Sequence, residues 1–303
     1  MFPSHTSWPL FRTEGQPANQ TIMAAPSSSK PLYSIPVPAC DDHPGGSVTI
    51  TEPADRVYLL TLTSPPDNRL TTAVCQALLQ ALDIVEFSLA PGCVVTTSAL
   101  PKFFSNGLDL GHAVAHGTAF WAGSLWALFR RFLTYPMPTV ALMNGHAFAG
   151  GLMLAMHHDY RVMNADRGFC CLNELEFGAP LKPPMSAIFR VKLPDARTYR
   201  EMVLEARRFG GRDAAAGGIV DAAGGWDEVL ALVKERKLTE RGKTGVYGLL
   251  KMEMYRECLD LLENHEREEA KDDAWFKAED ERKRRGKEQV EGWVKANGNK
   301  AKL

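Results

Sequence analysis

A pair of glycines near the middle of the chain constrains the local fold more than any other feature. An apolar run at residues 138–142 leads into the segment 144–151 (NGHAFAGG), and a second apolar run follows it. This order predicts a β-strand, a tight turn and the first turn of a helix. Adjacent glycines let a backbone come close to a bound group, and the first N–H groups of a helix have no partner within it. The turn therefore predicts either an oxyanion site built from backbone N–H groups or a tight connection that binds nothing.

The overall composition is that of a globular protein without a strong charge bias. The chain has 303 residues, of which 45% are hydrophobic, and its formal net charge is −1. A broad basic surface for nucleic acid is therefore not expected. The six cysteines include no C-x-x-C pair, which disfavours a zinc site or a disulfide framework and favours a reducing compartment.

Residues 137–156 form an apolar stretch about long enough to span a bilayer. Pro138, Asn144 and His146 lie within it, and small turn residues occupy its centre. A buried strand, turn and helix explains this pattern better than a membrane span. The N-terminus also lacks the order of charged and apolar residues that marks a secretory signal. We therefore expect a soluble protein without a membrane span.

Composition divides the chain into three regions and a short tail. Residues 1–46 are rich in Pro, Ser and Thr and predict a mostly disordered lead-in, although residues 32–37 can lie against the body as an extended segment. Residues 47–225 alternate short strands and helices and form the predicted core. Residues 226–300 are helical in pattern and increasingly charged, and residues 301–303 form the tail.

Four segments define the predicted core. Residues 57–62 and 93–97 are apolar, β-branched runs typical of strands, whereas residues 71–87 and 119–134 read as helices. Strands that alternate with helices predict an α/β class with largely parallel pairing. Farther along, an apolar stripe within residues 246–262 predicts packing against either the body or another subunit.

Two further segments supply candidates for chemistry. Residues 104–109 (FSNGLD) end a strand at a glycine bend, so they offer a second free backbone N–H. Two N–H groups that converge on one point form an oxyanion hole. Glu174 follows the apolar run 169–172, and apolar surroundings raise the pKa of a carboxyl group toward that of a general base near neutral pH. The alternative for Glu174 is a helix-initiating carboxylate favoured by the helix dipole.

The order of these motifs resembles the enoyl-CoA hydratase/isomerase (crotonase) superfamily. FSNGLDL at 104–110, NGHAFAGG at 144–151, HDYR at 158–161 and NELEFG at 173–178 occur in the family's order and spacing. The resemblance covers about residues 47–262 and is greatest for the peroxisomal Δ3,Δ2-enoyl-CoA isomerases. It implies an α/β fold made of a spiral of ββα units with a helical C-terminal region. It also implies an acyl-CoA thioester as substrate and a homotrimer or hexamer.

Carried over by position, the resemblance implies an oxyanion hole formed by the N–H groups of Leu108 and Gly150, with Glu174 as the catalytic base. Asn68 and Arg69 lie where the family contacts CoA, and Arg69 is a candidate phosphate partner. Coenzyme A enters as part of the substrate, so we expect no separate cofactor and no metal. The resemblance further implies substrate contacts from the residues around these positions: Asn106, Gly107, Leu108, Asp109, Leu110, Gly150 and Asn173.

The position three residues after Gly150 distinguishes the reactions of the superfamily. Hydratases carry a Glu there and a second Glu in the later motif, because the addition of water takes two carboxylates. Here the first position is Met153, and only Glu174 remains. One base and one oxyanion hole are enough to move a proton from C2 to C4 of a 3-enoyl-CoA, which gives trans-2-enoyl-CoA. The predicted function is this isomerisation in the β-oxidation of unsaturated fatty acids.

Two alternatives to isomerisation stay open at this point. The first is a hydratase-like enzyme of a specialised peroxisomal pathway, in which other residues place the water. The second is a non-catalytic acyl-CoA-binding scaffold whose charged C-terminal helices are the functional surface.

Several neighbouring residues have both a functional and a structural interpretation. Asn173 either orients Glu174 and touches the thioester or caps the following helix. Asp109 is better explained as a helix cap than as a catalytic acid. His146 and the pair at 157–158 lack partners at metal-ligand spacing, so we expect them to be hydrogen-bonded core histidines.

The tail, Ala301-Lys302-Leu303, keeps the small-basic-Leu pattern of a peroxisomal address. The tail and the acyl-CoA motifs are independent observations that agree. The sequence therefore predicts the peroxisomal matrix as the location, with a peroxisomal import receptor as the partner of the tail.

Overall fold

A computed structural model describes residues 30–298 of the chain. Its strands are Tyr33–Val37 (β1), Gly46–Ala54 (β2), Val57–Thr63 (β3), Cys93–Ser98 (β4), Phe103–Ser105 (β5), Thr139–Met143 (β6), His146–Phe148 (β7), Tyr160–Met163 (β8), Cys170–Cys171 (β9) and Ala222–Ala223 (β10). Its α-helices are Thr72–Ser88 (α1), Leu110–Phe120 (α2), Ala127–Thr134 (α3), Gly150–His157 (α4), Glu174–Phe177 (α5), Pro183–Lys192 (α6), Ala196–Leu204 (α7), Gly211–Ala216 (α8), Trp226–Arg236 (α9), Leu238–Arg241 (α10), Tyr247–Met254 (α11), Arg256–Glu263 (α12) and His265–Asn297 (α13).

The strands form two sheets. The larger sheet has the order β1-β2-β3-β4-β6-β8-β10, antiparallel from β1 to β3 and parallel from β3 onward. The smaller sheet is parallel and has the order β5-β7-β9. The predicted α/β class with largely parallel pairing is therefore confirmed.

The larger sheet is buried on both faces because its strands alternate between two apolar layers. In β3, Tyr58, Leu60 and Leu62 belong to the main core, whereas Val57 and Leu59 face a second apolar cluster. Helices α1, α3 and α4 contribute to the main core, and α9 contributes to the second cluster. Apolar residues on both sides of a strand are typical of parallel sheets covered by helices.

The N-terminal region is more ordered than its composition indicates. The predicted disordered lead-in of residues 1–46 is wrong for residues 30–46, because β1 lies antiparallel to β2 and extends the larger sheet. Ile35 and Val37 of this strand are buried. The expected extended segment at 32–37 is thus confirmed and adds an edge strand, whereas residues 1–29 lie outside the described range.

The helix expected at 119–134 is divided differently in the structure. Helix α2 begins earlier, at Leu110, and contains Gly117 with φ of 49°, a conformation that glycine adopts more readily than other residues. A π-helical segment, Trp121–Trp126, follows before α3. The apolar spacing alone did not indicate this break, because a π-turn shifts the register without changing which residue types are buried.

The C-terminal region is helical, as predicted. Along the apolar stripe at 246–262, Tyr255 and Cys258 are buried in the core, whereas Leu249, Leu250 and Met254 are exposed. The long helix α13 carries many charges and is mostly exposed. Among the described residues, no helix is both long and apolar enough to cross a membrane.

Candidate active site

The three parallel strands of the smaller sheet bring the predicted site residues to one edge. Leu108 lies three residues after the end of β5, Gly150 two residues after β7, and Glu174 three residues after β9. The carboxyl ends of parallel strands lie at the same edge of a sheet, where ligands of α/β proteins commonly bind. The backbone N–H of Ala149 also donates to the carbonyl of Cys171, at 2.9 Å, so the turn before α4 is tied to the segment before Glu174.

The N–H of Leu108 is directed by the other end of its own peptide group. The Gly107 carbonyl accepts a hydrogen bond from the Leu70 N–H at 2.8 Å. Because the C=O and N–H of a trans peptide point in opposite directions, the Leu108 N–H points away from Leu70. Among residues 30–298, it has no hydrogen-bond acceptor.

The N–H of Gly150 is directed in the same way. The Ala149 carbonyl accepts from the N–H of Met153 at 3.0 Å, so the peptide N–H on Gly150 faces out of the first turn of α4. This N–H likewise has no acceptor within the described part of the chain. Ala149 has φ of 47° and ψ of −119°, an uncommon conformation for a residue with a side chain, and such strain is often found at functional sites.

Close contact between the two loops explains the glycines. A Cβ atom on Gly150 would lie 3.2 Å from the Leu108 nitrogen, and one on Gly107 would lie 3.1 Å from the Gly150 nitrogen. A Cβ on Gly151 would lie 2.2 Å from the Ser105 carbonyl oxygen, which no side chain tolerates. The two N–H groups are therefore neighbours, and both are free to bind an anion. The oxyanion hole predicted from the two turns needs two such N–H groups side by side, and it stays a prediction.

Glu174 is the buried carboxyl group at the same edge. It is the first residue of the short helix α5 and is 8% exposed. Its Oε2 atom has no hydrogen-bond partner among the residues described. Burial raises the pKa of this carboxyl from its ordinary 4.5 to about 7, opposed only by a hydrogen bond from its own backbone. A carboxylate with such a pKa can both accept and return a proton near neutral pH.

Asn173 precedes Glu174, and its side chain does not cap α5. Its Oδ1 atom is buried and has no partner in the described chain. The capping interpretation is therefore wrong, which leaves the interpretation in which the amide faces the substrate or orients Glu174. Glu174 does begin α5, as the helix-initiating alternative predicts, but the hydrogen bond from its own backbone leaves Oε2 without a partner among the described residues.

Met153 lies one turn into α4, on the same helix face as Gly150. It is 1% exposed and belongs to the main core. The position at which a hydratase places a carboxylate is therefore filled by an apolar side chain here. Glu174 is left without a neighbouring carboxylate at that position.

Asp109 serves as the N-cap of α2. Its Oδ1 accepts from the His112 N–H at 2.8 Å, and its Oδ2 accepts from His43 at the same distance. Burial alone would raise the pKa of this carboxyl, but the hydrogen bonds from His112 and His43 hold the pKa below its ordinary value. The expectation that Asp109 is a cap is confirmed. Of the other predicted substrate contacts, Asn106 donates to Asp67 at 2.6 Å, and Leu110 is exposed at the start of α2.

The predicted CoA contacts fall in the scaffold beneath the hole. Asn68 is fully buried, and its amide binds Ser98, the Phe104 carbonyl and the Ser64 N–H. A side chain so enclosed offers no surface to CoA, so that prediction is wrong for Asn68. Arg69 is one-third exposed and donates to the Leu108 carbonyl at 3.0 Å, which supports the oxyanion loop and leaves a phosphate contact as a prediction.

The two adjacent histidines at the end of α4 are structural. His157 binds the Met153 carbonyl at 2.7 Å and stacks on Phe129, and burial lowers its pKa to about 3. His158 is buried between the Leu154 carbonyl and the Thr96 hydroxyl. The prediction of hydrogen-bonded core histidines is confirmed for this pair.

Sequence reasoning missed the residues that hold the two N–H groups in place. Leu70 acts through its backbone, and Ser105 donates its hydroxyl to the Asn68 carbonyl at 2.8 Å and accepts from the Gly107 N–H. A backbone contact leaves no trace in side-chain chemistry. Ser105 lies within the segment 104–109, two residues before Gly107, and this position was the one sequence signal for its role.

This chain is similar to several known proteins over most of its length. The family model for enoyl-CoA hydratase/isomerase matches residues 52–291. Peroxisomal enoyl-CoA delta isomerase 2 of Arabidopsis thaliana is 32% identical over 68% of this chain and 91% of its own length. Peroxisomal enoyl-CoA delta isomerase 1 of the same plant is 33% identical over 69% of this chain and 90% of its length.

Solved structures agree on the fold. The apo structure of an Mtb enoyl-CoA isomerase superposes with a TM-score of 0.61 at 25% identity, covering 71% of this chain and 94% of that one. A probable enoyl-CoA hydratase of Mycobacterium tuberculosis gives 0.63 at 23% identity, covering 77% and 98%. The crotonase fold predicted from the motifs is thereby confirmed. This chain belongs to the enoyl-CoA hydratase/isomerase family.

Proposed function

We propose that this protein is a Δ3,Δ2-enoyl-CoA isomerase that uses Glu174 as its single acid–base group. The observation that carries the proposal is the buried carboxyl of Glu174, whose Oε2 has no partner among the described residues, at the sheet edge that also presents the N–H groups of Leu108 and Gly150. The relatives named as enoyl-CoA delta isomerases support the same substrate class. Coenzyme A would be bound as part of the thioester substrate, with no further cofactor.

The reaction needs one proton to move and one negative charge to be stabilised. Glu174 removes a proton from C2 of a 3-enoyl-CoA, and the electron pair delocalises over a dienolate whose oxygen binds the two N–H groups. Glu174 then returns the proton at C4, and the double bond moves to C2–C3. Loss of one oxyanion donor in such a site typically costs about 3–4 kcal/mol of barrier. The carboxyl group begins and ends ionised, so no water is consumed.

The apolar side chain of Met153 is the evidence against a hydration reaction. Addition of water to a 2-enoyl-CoA takes a second group to hold and activate the water, and an apolar, buried side chain cannot do so. Some matched relatives are named as hydratases, among them a putative enoyl-CoA hydratase of Thermus thermophilus. Hydratase-like activity is therefore the outcome against which the proposal is tested.

The test is a product assay with the purified full chain. 3-Enoyl-CoAs of several chain lengths, in both cis and trans forms, and trans-2-enoyl-CoA are supplied separately, and products are separated by liquid chromatography. We expect trans-2-enoyl-CoA from the first set and no appreciable 3-hydroxyacyl-CoA from either. Efficient formation of 3-hydroxyacyl-CoA would establish the hydratase instead, and binding without turnover would establish the scaffold.

The cellular setting is also part of the proposal. Two relatives are named peroxisomal, and this supports the peroxisomal matrix and a role in β-oxidation of unsaturated fatty acids. Ala301, Lys302 and Leu303 lie outside the described residues, so recognition by an import receptor stays a prediction. It is tested by comparing the location of a fluorescent fusion with and without Leu303.

A homotrimer, or a hexamer of two trimers, is proposed as the assembly. The exposed apolar side chains of α11, Leu249, Leu250 and Met254, support a subunit contact in this region. Sedimentation equilibrium on the purified protein measures the mass directly, and a stable monomer would contradict the proposal.

A further inference from the structure

A closed turn of the N-terminal region lies against the helix that follows the oxyanion loop. Cys40 and His43 exchange backbone hydrogen bonds, with the Cys40 N–H at 3.1 Å from the His43 carbonyl and the reverse pair at 2.9 Å. Asp41 has φ of 50°, which is uncommon outside glycine and Asn or Asp, and completes the turn. We call residues 40–43 the clamp turn. It connects β1 and β2, and the side chains of Asp41 and His43 contact α2 and its N-cap.

The first contact of the clamp turn is with the cap of α2. The Nε2 atom of His43 lies 2.8 Å from Oδ2 of Asp109, and the His43 side chain is 10% exposed. Because the pKa of Asp109 is held below its ordinary value, the carboxylate is an acceptor and His43 Nε2 must carry the proton. The other oxygen of Asp109 holds the His112 N–H.

The second contact joins the clamp turn to both α1 and α2. The Nδ1 atom of His112 lies 2.6 Å from Oδ2 of Asp41. Its Nε2 atom accepts a hydrogen bond from the Thr72 N–H at 3.0 Å, so the proton of the neutral ring is on Nδ1 and points at Asp41. Thr72 is the first residue of α1, and the neighbouring Leu70 holds the Gly107 carbonyl.

The position of this proton on His112 also decides whether the same residues are suited to bind a metal ion. Cys40, Asp41 and His112 offer ligand atoms that lie within 4.8 Å of one another. A metal on Nδ1 would require the proton to move to Nε2, where it would meet the Thr72 N–H. The cluster is therefore better suited to hydrogen bonding than to metal binding.

These contacts lie at the peptide between Leu108 and Asp109, which directly follows the peptide that bears the Leu108 N–H. Asp109 follows Leu108 directly, and the Leu108 carbonyl is held by Arg69 on the other side. We propose that the clamp turn positions the oxyanion hole: His43 acts through Asp109, and Asp41 acts through His112. Both are positioning residues, since neither touches the reacting atoms. The proposal rests on the proposed function in one respect, because it takes the Leu108 N–H as an oxyanion donor.

The test compares two substitutions of His43. His43→Leu removes the donor to Asp109, whereas His43→Gln keeps an N–H near the position of Nε2. We expect kcat on 3-enoyl-CoA to fall about ten-fold or more in His43→Leu, a fraction of the 10²–10³-fold cost of deleting an oxyanion donor, with KM changed less than about three-fold. His43→Gln should restore kcat to within about three-fold of the unmodified protein. Unchanged kcat in His43→Leu, or a change confined to KM, would overturn the proposal.

The matched control is Asp195→Ala. Asp195 caps α7 by accepting from the N–H groups of Arg197 and Thr198, and its removal destabilises the N-terminus of a helix that carries none of the predicted site residues. We expect a lower urea midpoint in this variant with unchanged kcat. If Asp195→Ala lowered kcat as much as His43→Leu, general destabilisation would explain both and the positioning role would fall.

A second readout separates this proposal from the proposed function. Acetoacetyl-CoA forms an enolate with a distinct ultraviolet absorbance, and a functional oxyanion hole stabilises it without turnover. We expect the unmodified protein to bind this enolate at least about five-fold more tightly than His43→Leu does. If the unmodified protein fails to isomerise yet shows this difference, the reaction is wrong and the positioning role stands. Equal binding by both proteins would overturn the positioning role.

Discussion

Two carboxyl groups flank the candidate site, and their surroundings are opposite. Asp109, at the start of α2, receives hydrogen bonds from His112 and His43, and its pKa is held below the ordinary value. Glu174, at the start of α5, is buried, one of its oxygens has no partner in the described part of the chain, and burial raises its pKa to about 7. Both are helix-starting acids in the sequence. Their protein partners, rather than their residue type or helix position, decide which one can exchange a proton near neutral pH.

The two carboxyl groups therefore have different proposed roles in the site. Asp109 uses its charge to fix the backbone beside Leu108, so its contribution is geometric. The carboxyl of Glu174 receives a hydrogen bond from its own backbone, and its Oε2 has no partner among residues 30–298, so it stays available to a substrate. Functional groups are commonly left unsatisfied in this way, at a cost in stability.

The largest effect is expected from Glu174→Gln. The amide keeps the shape of the side chain but cannot accept a proton, and general acid–base catalysis typically contributes 10²–10⁴-fold. We expect kcat for isomerisation to fall about 10³-fold while acyl-CoA binding is kept. The matched control is Glu176→Gln, two residues along, where an exposed carboxylate pairs with Arg208 and should leave kcat within about two-fold. Equal losses in the two variants would contradict the assignment of the base.

The same substitution should stabilise the fold at higher pH. A folded pKa above the unfolded value means that ionisation is disfavoured in the folded state, so Glu174 costs stability increasingly as pH rises from 4.5 to about 7. A rise of the pKa from 4.5 to about 7 corresponds to an upper limit of about 3 kcal/mol. Urea unfolding of Glu174→Gln and the unmodified protein should therefore agree near pH 4.5 and diverge by pH 8. A constant difference across this range would contradict the burial argument.

Asp109→Ala tests the other carboxyl. Loss of an N-cap costs about 1 kcal/mol, and kcat should fall about ten-fold or more, because Asp109 is the group through which His43 holds the backbone beside Leu108. The folded pKa of Asp109 is lowered, so its contribution is present above the unfolded pKa and is lost as pH falls. Urea unfolding at pH 7 and at acid pH, together with kcat, measures both effects. A loss as large as that of Glu174→Gln would show that Asp109 takes part in the chemistry.

The smallest effect is expected from Met153→Glu, which adds a second carboxylate on the Gly150 face of α4. We expect a trace of 3-hydroxyacyl-CoA from trans-2-enoyl-CoA, below about 1% of the isomerase rate, because one new group rarely positions water well. Met153→Gln, which adds polarity without an ionisable group, is the control. Hydration by the control alone would show that a second carboxylate does not explain the difference between the two reactions.

The sequence allowed the main parts of this account to be predicted, for identifiable reasons. The α/β class was predictable because strands and helices alternate along the chain. The two bends were predictable because glycine allows tight turns and a close approach of the backbone. Cap and core roles of Asp109, His157 and His158 also followed from local chemistry. Such features depend on neighbours in the sequence, so they can be read without the fold.

Other parts depended on contacts between distant segments. Asn68 resembles a surface turn residue in the sequence, but it is buried by bonds to Ser98 and Phe104, about 30 and 36 residues away. The lead-in contained an edge strand because β2 offered it a partner, which composition does not reveal. The clamp turn at 40–43 was missed for the same reason, since its partner Asp109 lies 66 residues away.

The most direct test of the central claim is the pH dependence of kcat/KM for isomerisation. This ratio reports the ionisation of essential groups in the free enzyme. Glu174 must be deprotonated to accept the C2 proton, so kcat/KM should rise about ten-fold per pH unit at low pH and level off above an inflection at about 7. Glu176→Gln should give the same curve. An inflection near the ordinary carboxyl value of 4.5, or a ratio that does not change between pH 5.5 and 8, would contradict the account.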